Sequence, residues 1–227
     1  LFSLEEFRSI FLTALRQNVD QNRHDNLGDH NLNPGMFPPE FTKSAAVLVP
    51  VIGREQEPTI LLTKRSDDLN HHAGQVSFPG GRHEESDLNM IDTALRETEE
   101  EIGLDRDAVE VIGELPTYET RTGFSVKPAV GLIKPPIELN IDSKEVADVF
   151  EIPISFVLDR KNHYTFWALM MNGGKLHQLS QLTQLLLDSN KMFYFFHLPN
   201  QRSIHPKPLR YNIVIFLNLK LELLGIK

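Results

Sequence analysis

A chain of 227 residues with no cysteine, 31 acidic residues and 23 Lys plus Arg carries a formal net charge of −8. The missing thiols exclude disulfide scaffolds, thiolate zinc sites, iron–sulfur clusters and cysteine nucleophiles. The negative balance argues against passive nucleic-acid binding, which needs a surplus of cations, but leaves anionic small substrates open because a divalent metal reverses the local sign.

Leu1 to Asp20 sets Glu5, Glu6, Arg8 and Arg16 among apolar residues at helical spacing and reads as an amphipathic helix. Residues 21–42, rich in Asn, Asp, Gly and Pro, read as a loop. Ala45–Ile52 and Thr59–Thr63 read as buried strands flanking a polar turn with Gly53 and Pro58. Gln75–Phe78 reads as a third strand, stopped by Pro79-Gly80-Gly81. Ser86 or Asp87 is expected to cap a helix that runs to Ile102 and ends at Gly103. Strands over Glu110–Tyr118, Val126–Ile133 and Val149–Ile152 follow, the last leading into a short helix at 153–159. Beyond them, Leu176–Asp188 reads as an amphipathic helix, Met192–His197 as an aromatic strand and Leu209–Leu224 as an apolar segment. Strands and helices interleave without a regular βαβ repeat, which predicts an α/β fold with a mixed sheet between helices. No apolar run approaches the roughly 20 residues needed to span a bilayer, so no membrane partner is expected. A cysteine-free composition agrees with a cytoplasmic setting.

The chemistry concentrates between Gly80 and Leu104. On a helix, Ile91, Leu95, Thr98 and Ile102 form one mostly apolar stripe with Ala94 beside it, whereas Glu97, Glu100 and Glu101 stand at i, i+3 and i+4 on another face. Glu99 points away from that cluster and reads as solvated. Acid-rich helix faces are most often plain surface. Here, however, like charges at these spacings repel by about 0.2–0.5 kcal/mol per pair, and the C-terminal end of a helix disfavours anions. A divalent cation resolves both costs, since Mg²⁺ takes carboxylate oxygens and keeps positions for water and substrate phosphates. Gly80-Gly81 permits a tight backbone turn that can present a carbonyl to such a metal. Arg96 is placed to pair with an acid near the helix start and hold loop and helix together.

This segment resembles the Nudix box, G-x5-E-x7-R-E-U-x-E-E-x-G-U with U apolar: Arg96-Glu97-Thr98-Glu99-Glu100-Glu101-Ile102-Gly103-Leu104 supplies its second half. Thr98 stands where the family prefers a larger apolar residue. In the first half, counted from Gly81, Asp87 replaces Glu and eight residues, not seven, precede Arg96. Leu61-Leu62-Thr63-Lys64-Arg65-Ser66, followed by Gly74-Gln75-Val76-Ser77-Phe78-Pro79-Gly80-Gly81, is similar to the signature of the coenzyme A pyrophosphatase group within that family. Asn70 stands where that group usually has arginine, and Leu209–Leu224 lacks the group's Ile-Trp-Gly-type ending.

The resemblance implies a Nudix-type α/β/α sandwich with an extra N-terminal helix and a divergent C-terminal extension. It divides the chain into an N-terminal helix and loop (1–42), a hydrolase core (43–160) and C-terminal elements packed on it (161–227). The implied reaction is Mg²⁺- or Mn²⁺-dependent hydrolysis of coenzyme A or a derivative to 3′,5′-ADP and 4′-phosphopantetheine. Glu97, Glu100 and Glu101, with the Gly81 carbonyl, are the implied metal ligands. Arg96, Glu97, Glu101 and Glu145 form the implied catalytic group, the general base being a glutamate of the box or Glu145. Lys64, Arg65 and Arg82 are candidate contacts for substrate phosphates; His71 and His72 read as a solvated pair and a poor zinc site. Two other readings stay open: the same chemistry on ADP-ribose, a dinucleotide or a nucleoside triphosphate, and a non-catalytic domain that binds a nucleotide or protein. The C-terminal third reads as packing elements, a homodimer surface or a substrate lid.

Overall fold

β-Branched and small apolar residues in Lys43–Ile52 alternate between two buried surfaces, so this strand lies inside a sheet covered on both faces. The protein's structure, a computed structural model, describes residues 3–20, 27–28, 42–66, 76–120, 122–158, 163–167 and 192–196. In chain order these form α1 (Leu4–Asp20), β1 (Leu27–Gly28), β2 (Lys43–Ile52), β3 (Thr59–Arg65), β4 (Val76–Ser77), β5 (Gly80–Arg82) and α2 (Met90–Ile102). A short 3₁₀ turn, Arg106–Ala108, leads to β6 (Val109–Glu114), β7 (Tyr118–Glu119), β8 (Phe124–Ile133), β9 (Val146–Pro153) and α3 (Ile154–Leu158). Last come β10 (His163–Trp167) and β11 (Met192–Phe196), which pair antiparallel as a separate two-stranded sheet.

The main sheet is mixed. Its central pair, β2 and β8, runs parallel over ten residue pairs, while β3, β5, β6 and β9 join antiparallel. Val49 and Val51 of β2, Ile60 and Leu62 of β3, and Val130 and Leu132 of β8 face α1, where Phe7 and Phe11 stack 6.0 Å apart. The alternate residues, Leu48, Ile52, Leu61, Ala129 and Ile133, face Ala94 and Ile102 of α2. Each of the larger side chains stabilises the fold by about 1.5–3 kcal/mol through its burial. Arg8 pins α1 to the sheet through an ion pair with Glu110 of β6. The result is the expected α/β/α sandwich.

Three sequence expectations are corrected. Gly80 and Gly81 do not simply stop a strand; they begin β5, which crosses to pair with β2 at Ala46↔Gly81. Pro79 has no N–H to continue the β3 ladder, and its carbonyl instead accepts from Leu48 N–H at 2.9 Å. Gly80 then turns the chain at φ 148°, where a Cβ would lie 2.3 Å from the Ala46 carbonyl. The expected strand Glu110–Tyr118 is two strands, β6 and β7, separated by Leu115-Pro116-Thr117. Finally, Asn89 rather than Ser86 or Asp87 caps α2, its side chain accepting from Asp92 N–H at 3.0 Å. Asp87 is otherwise engaged, as described below. The expected stop at Gly103 holds: φ is 66° and its N–H donates to the Glu99 carbonyl. Asn70, His71, His72, Leu176–Asp188 and Leu209–Leu224 lie outside the described residues.

Candidate active site

The loop between β5 and α2 is closed by one carboxylate. Asp87, whose side chain is 1% exposed, receives Arg96 in a bidentate grip, Nε at 2.7 Å and Nη2 at 3.0 Å. The Glu84 N–H and the Thr93 hydroxyl donate to its Oδ2, each at 2.9 Å. The Arg96 guanidinium holds this carboxyl well below the usual carboxylate range, and Asp87 in turn raises Arg96. Arg96 also donates from Nη2 to the Arg82 carbonyl at 3.0 Å, tying the helix to the end of β5. Its remaining nitrogen, Nη1, lies 3.0 Å from Glu97 Oε1 and 3.1 Å from Glu100 Oε2. The arginine thus joins loop, strand and helix, as the sequence suggests, and Asp87 is the acid it needs.

Glu97 and Glu101 point inward from α2, and neither is comfortable as an anion. Burial pushes the Glu101 carboxyl up to about 7, with the charges of Glu145 and Glu97 acting the same way. The Gly80 N–H, 3.1 Å from its Oε2, and Arg65, with Nη1 3.4 Å from its Oε1, act in opposition. Glu97 is also raised, chiefly by burial and then by Glu100 and Glu145, against the pull of Arg96. Glu145 sits exposed in the turn before β9, its carbonyl accepting from Ser66 N–H at 2.8 Å. Glu100 is turned outward, its side chain 60% exposed and paired with Arg96.

These placements test the donor set for a divalent cation. Hard oxygen donors are present, and two of them carry raised pKa values that a cation would relieve. Glu97 and Glu101 are therefore suited to hold one. Among the described residues, no three carboxylate or imidazole groups already surround a common point.

Strand register separates the candidate cations. Ala46 belongs to the α2-side cluster and pairs with Gly81, so Gly81 faces α2. Arg82, the next residue, emerges on the opposite face, with its guanidinium 5.2 Å from the Phe124 ring centroid. Lys64 likewise shares the side of Leu62 and pairs with Val76, both on the α1 side. Arg65, two positions on from Thr63 and four from Leu61, returns to the α2 side, pairs with Val146 and reaches Glu101. Of the three cations, only Arg65 stands beside the carboxylates.

Gly81 meets Glu97 directly. A Cβ there would fall 2.2 Å from Glu97 Oε2 and 2.3 Å from its carboxyl carbon. Gly81→Ala is accordingly expected to fold with a Tm near that of the wild type while displacing Glu97. A misplacement of about 1 Å can cost about 100-fold in turnover, and steady-state kinetics beside a melting curve check it.

Two interactions escaped sequence reasoning. Glu99 is not merely solvated: Arg106 donates to it at 2.9 Å and also reaches Asp92 at 3.3 Å, bracing the outer side of α2. Thr93, fully buried, takes part in the Asp87 network together with His83, whose Nδ1 is 2.8 Å from the Thr93 hydroxyl. A threonine three residues before the Arg-Glu pair, hence on the same side of the helix as Arg96, is the signal that could have found the second.

Comparison with known proteins bears on the family. Residues 42–165 match the NUDIX domain family. The uncharacterized Nudix hydrolase NudL of Yersinia enterocolitica is 44% identical over 146 residues, covering 64% of this chain and 73% of that protein. NudL of Cronobacter sakazakii is 45% identical over 136 residues, 55% of this chain and 70% of that one. Among solved structures, a C. elegans Ap4A hydrolase binary complex is 20% identical and superposes with a TM-score of 0.43, covering 49% of this chain and 80% of that chain. With more than half its length matched by the family and the box residues in the positions described, the chain belongs to the Nudix family and is a pyrophosphohydrolase.

Proposed function

We propose that this enzyme hydrolyses the pyrophosphate bond of coenzyme A or a derivative, releasing 3′,5′-ADP and 4′-phosphopantetheine, with Mg²⁺ or Mn²⁺ as cofactor. Its coarser activity is that of a Nudix hydrolase on a nucleoside diphosphate-type substrate. One observation carries the finer reading. The segment similar to the coenzyme A group, Leu61 to Ser66, sets Arg65 beside Glu101, so a cation from that segment meets a carboxylate of the box.

Residues 43–160 form the proposed catalytic unit. Glu97 and Glu101 hold the divalent cation, with Glu100 and the Gly81 carbonyl as further candidate ligands. That cation supplies neutralisation of the pyrophosphate oxygens and acidifies water at the site. Arg65 contacts the substrate phosphates, and release from Glu101 is easy because their 3.4 Å contact is long. Arg96 positions Glu97. Glu145, exposed at the rim and close enough to raise both inner carboxyls, is a candidate general base. Lys64 and Arg82 lie on the opposite face of the sheet, so of the three cations Arg65 is the proposed phosphate contact.

Incubation with coenzyme A, acyl-coenzyme A and ADP-ribose, with and without Mg²⁺, tests the proposal by product analysis. Metal-dependent 3′,5′-ADP from the first two, at rates above AMP release from ADP-ribose, is the expected result. Preferential cleavage of ADP-ribose would replace the substrate and keep the chemistry. Binding without hydrolysis under either metal would make the domain a nucleotide-binding module.

A further inference from the structure

We propose that Thr93 and His83 are positioning residues that act on Glu97 through Asp87 and Arg96, an inference that rests on reading Glu97 as a metal ligand. Asp87 is one methylene shorter than the glutamate of the family pattern and one residue farther from the arginine. Such a carboxylate needs more than the guanidinium to fix its plane. Thr93 supplies the need from the first turn of α2: its Oγ1 lies 2.9 Å from Asp87 Oδ2 and 2.8 Å from His83 Nδ1.

A hydroxyl has one proton, and its direction follows from the partners. Two groups that can only accept face it, Asp87 Oδ2 at 2.9 Å and the Asn89 carbonyl at 3.2 Å, and the nearer, charged carboxylate takes the Thr93 proton. The Thr93 oxygen then accepts from His83, which fixes the imidazole as the Nδ1–H tautomer. The backbone N–H of His83 donates to the Ser44 carbonyl at 3.1 Å, anchoring that residue to β2. The chain of contacts runs from His83 to Thr93, Asp87, Arg96 and Glu97 without a gap longer than 3.0 Å. The chain leaves the residue after β5, touches the first turn of α2, crosses to the loop and returns to the middle of α2, where its last link joins neighbours. Removing the Thr93 hydroxyl takes one of the three donors from Asp87 Oδ2 and leaves the Glu84 N–H and Arg96 Nη2 to hold it, so the carboxylate and the Arg96 fork shift together, and the Nη1 that steers Glu97 moves with them.

Thr93→Val preserves shape and removes the hydroxyl. Mn²⁺ binding, followed by electron paramagnetic resonance in the absence of substrate, reads the position of Glu97 without turnover. The expected result is an Mn²⁺ dissociation constant raised by about 10–100-fold, the scale for loss of a group that orients a metal ligand, in a variant whose circular dichroism is unchanged. Thr93→Ser, which keeps the hydroxyl, restores the affinity. His83→Leu, at a site where the side chain is 30% exposed, shifts the affinity in the same direction and serves if Thr93→Val does not fold. A folded Thr93→Val with wild-type Mn²⁺ affinity, or a Thr93→Ser that fails to restore it, overturns the positioning role alone. A wild-type protein that binds no Mn²⁺ overturns both the role and the metal-site reading.

Discussion

Glu101→Gln is expected to lower metal-dependent turnover by at least about 100-fold while leaving the metal-free protein more stable than the wild type at pH 8. The first effect follows from removing a carboxylate that stabilises charge at the reacting centre, where single groups are worth about 10²–10³ in rate. The second follows from its protonation. Burial raises the Glu101 carboxyl from 4.5 to about 7, so the native state holds this proton more tightly than the unfolded chain. Its contribution to stability therefore falls as pH rises from about 4.5 to about 7, and above that the full cost of a buried anion remains. Glutamine keeps an acceptor for the Gly80 N–H and carries no charge. The gain should shrink toward zero as pH falls to 4.5, where the wild-type carboxyl is protonated in the native state. Added Mn²⁺ should raise the Tm of the wild type and not that of the variant, since a ligand bound only by the native state stabilises it. Melting curves at pH 5 and pH 8, with and without Mn²⁺, check all three statements. A variant with wild-type turnover would remove Glu101 from the metal site.

Arg96→Ala is expected to destabilise the fold by about 3–5 kcal/mol, the cost of leaving a buried carboxylate without its partner. Asp87, 1% exposed at its side chain, would keep two neutral donors, Thr93 and Glu84 N–H, and lose both guanidinium contacts. Asp87→Asn should cost less, because it removes the buried charge together with the pairing. In a double-mutant cycle the two substitutions should couple, the double variant being more stable than the sum of the singles allows. The pH dependence of this pair runs opposite to that of Glu101. A carboxyl held below its usual range contributes stability that is present above about pH 4 and lost as pH falls below it. Across pH 2–5 the stability of Asp87→Asn should therefore fall less steeply with acid than that of the wild type or of Glu101→Gln, both of which keep this carboxylate, and denaturant midpoints measure it. An Arg96→Ala protein with unchanged stability would mean that the guanidinium does not hold the loop.

These two carboxylates show how much of the site could be read from residue order. Helix spacing alone places Glu97 and Glu101 one turn apart, ends the helix at Gly103 and sets Arg96 near an acid that precedes the helix, because these relations span few residues. The two long strands of the core were likewise visible as apolar runs. The fate of Glu100 was not: i+3 spacing puts it beside Glu97, but Arg96 draws it outward to 60% exposure. Nor was the helix start, since Asp87 has the chemistry of a cap and is taken by Arg96, leaving the role to Asn89.

Residue order alone sets the box, its acid spacing, the N-terminal helix and the α/β class, all properties of short-range periodicity and residue chemistry. Tertiary structure decided which cation stands beside the acids, why Gly81 has no side chain and how Thr93 and His83 reach Asp87. The reason is strand register. A one-residue slip of β5 on β2 or of β3 on β9 would exchange the faces of Gly81 and Arg82, or of Lys64 and Arg65. That pairing joins residues about 35 and 85 positions apart in the chain, beyond the reach of any local pattern.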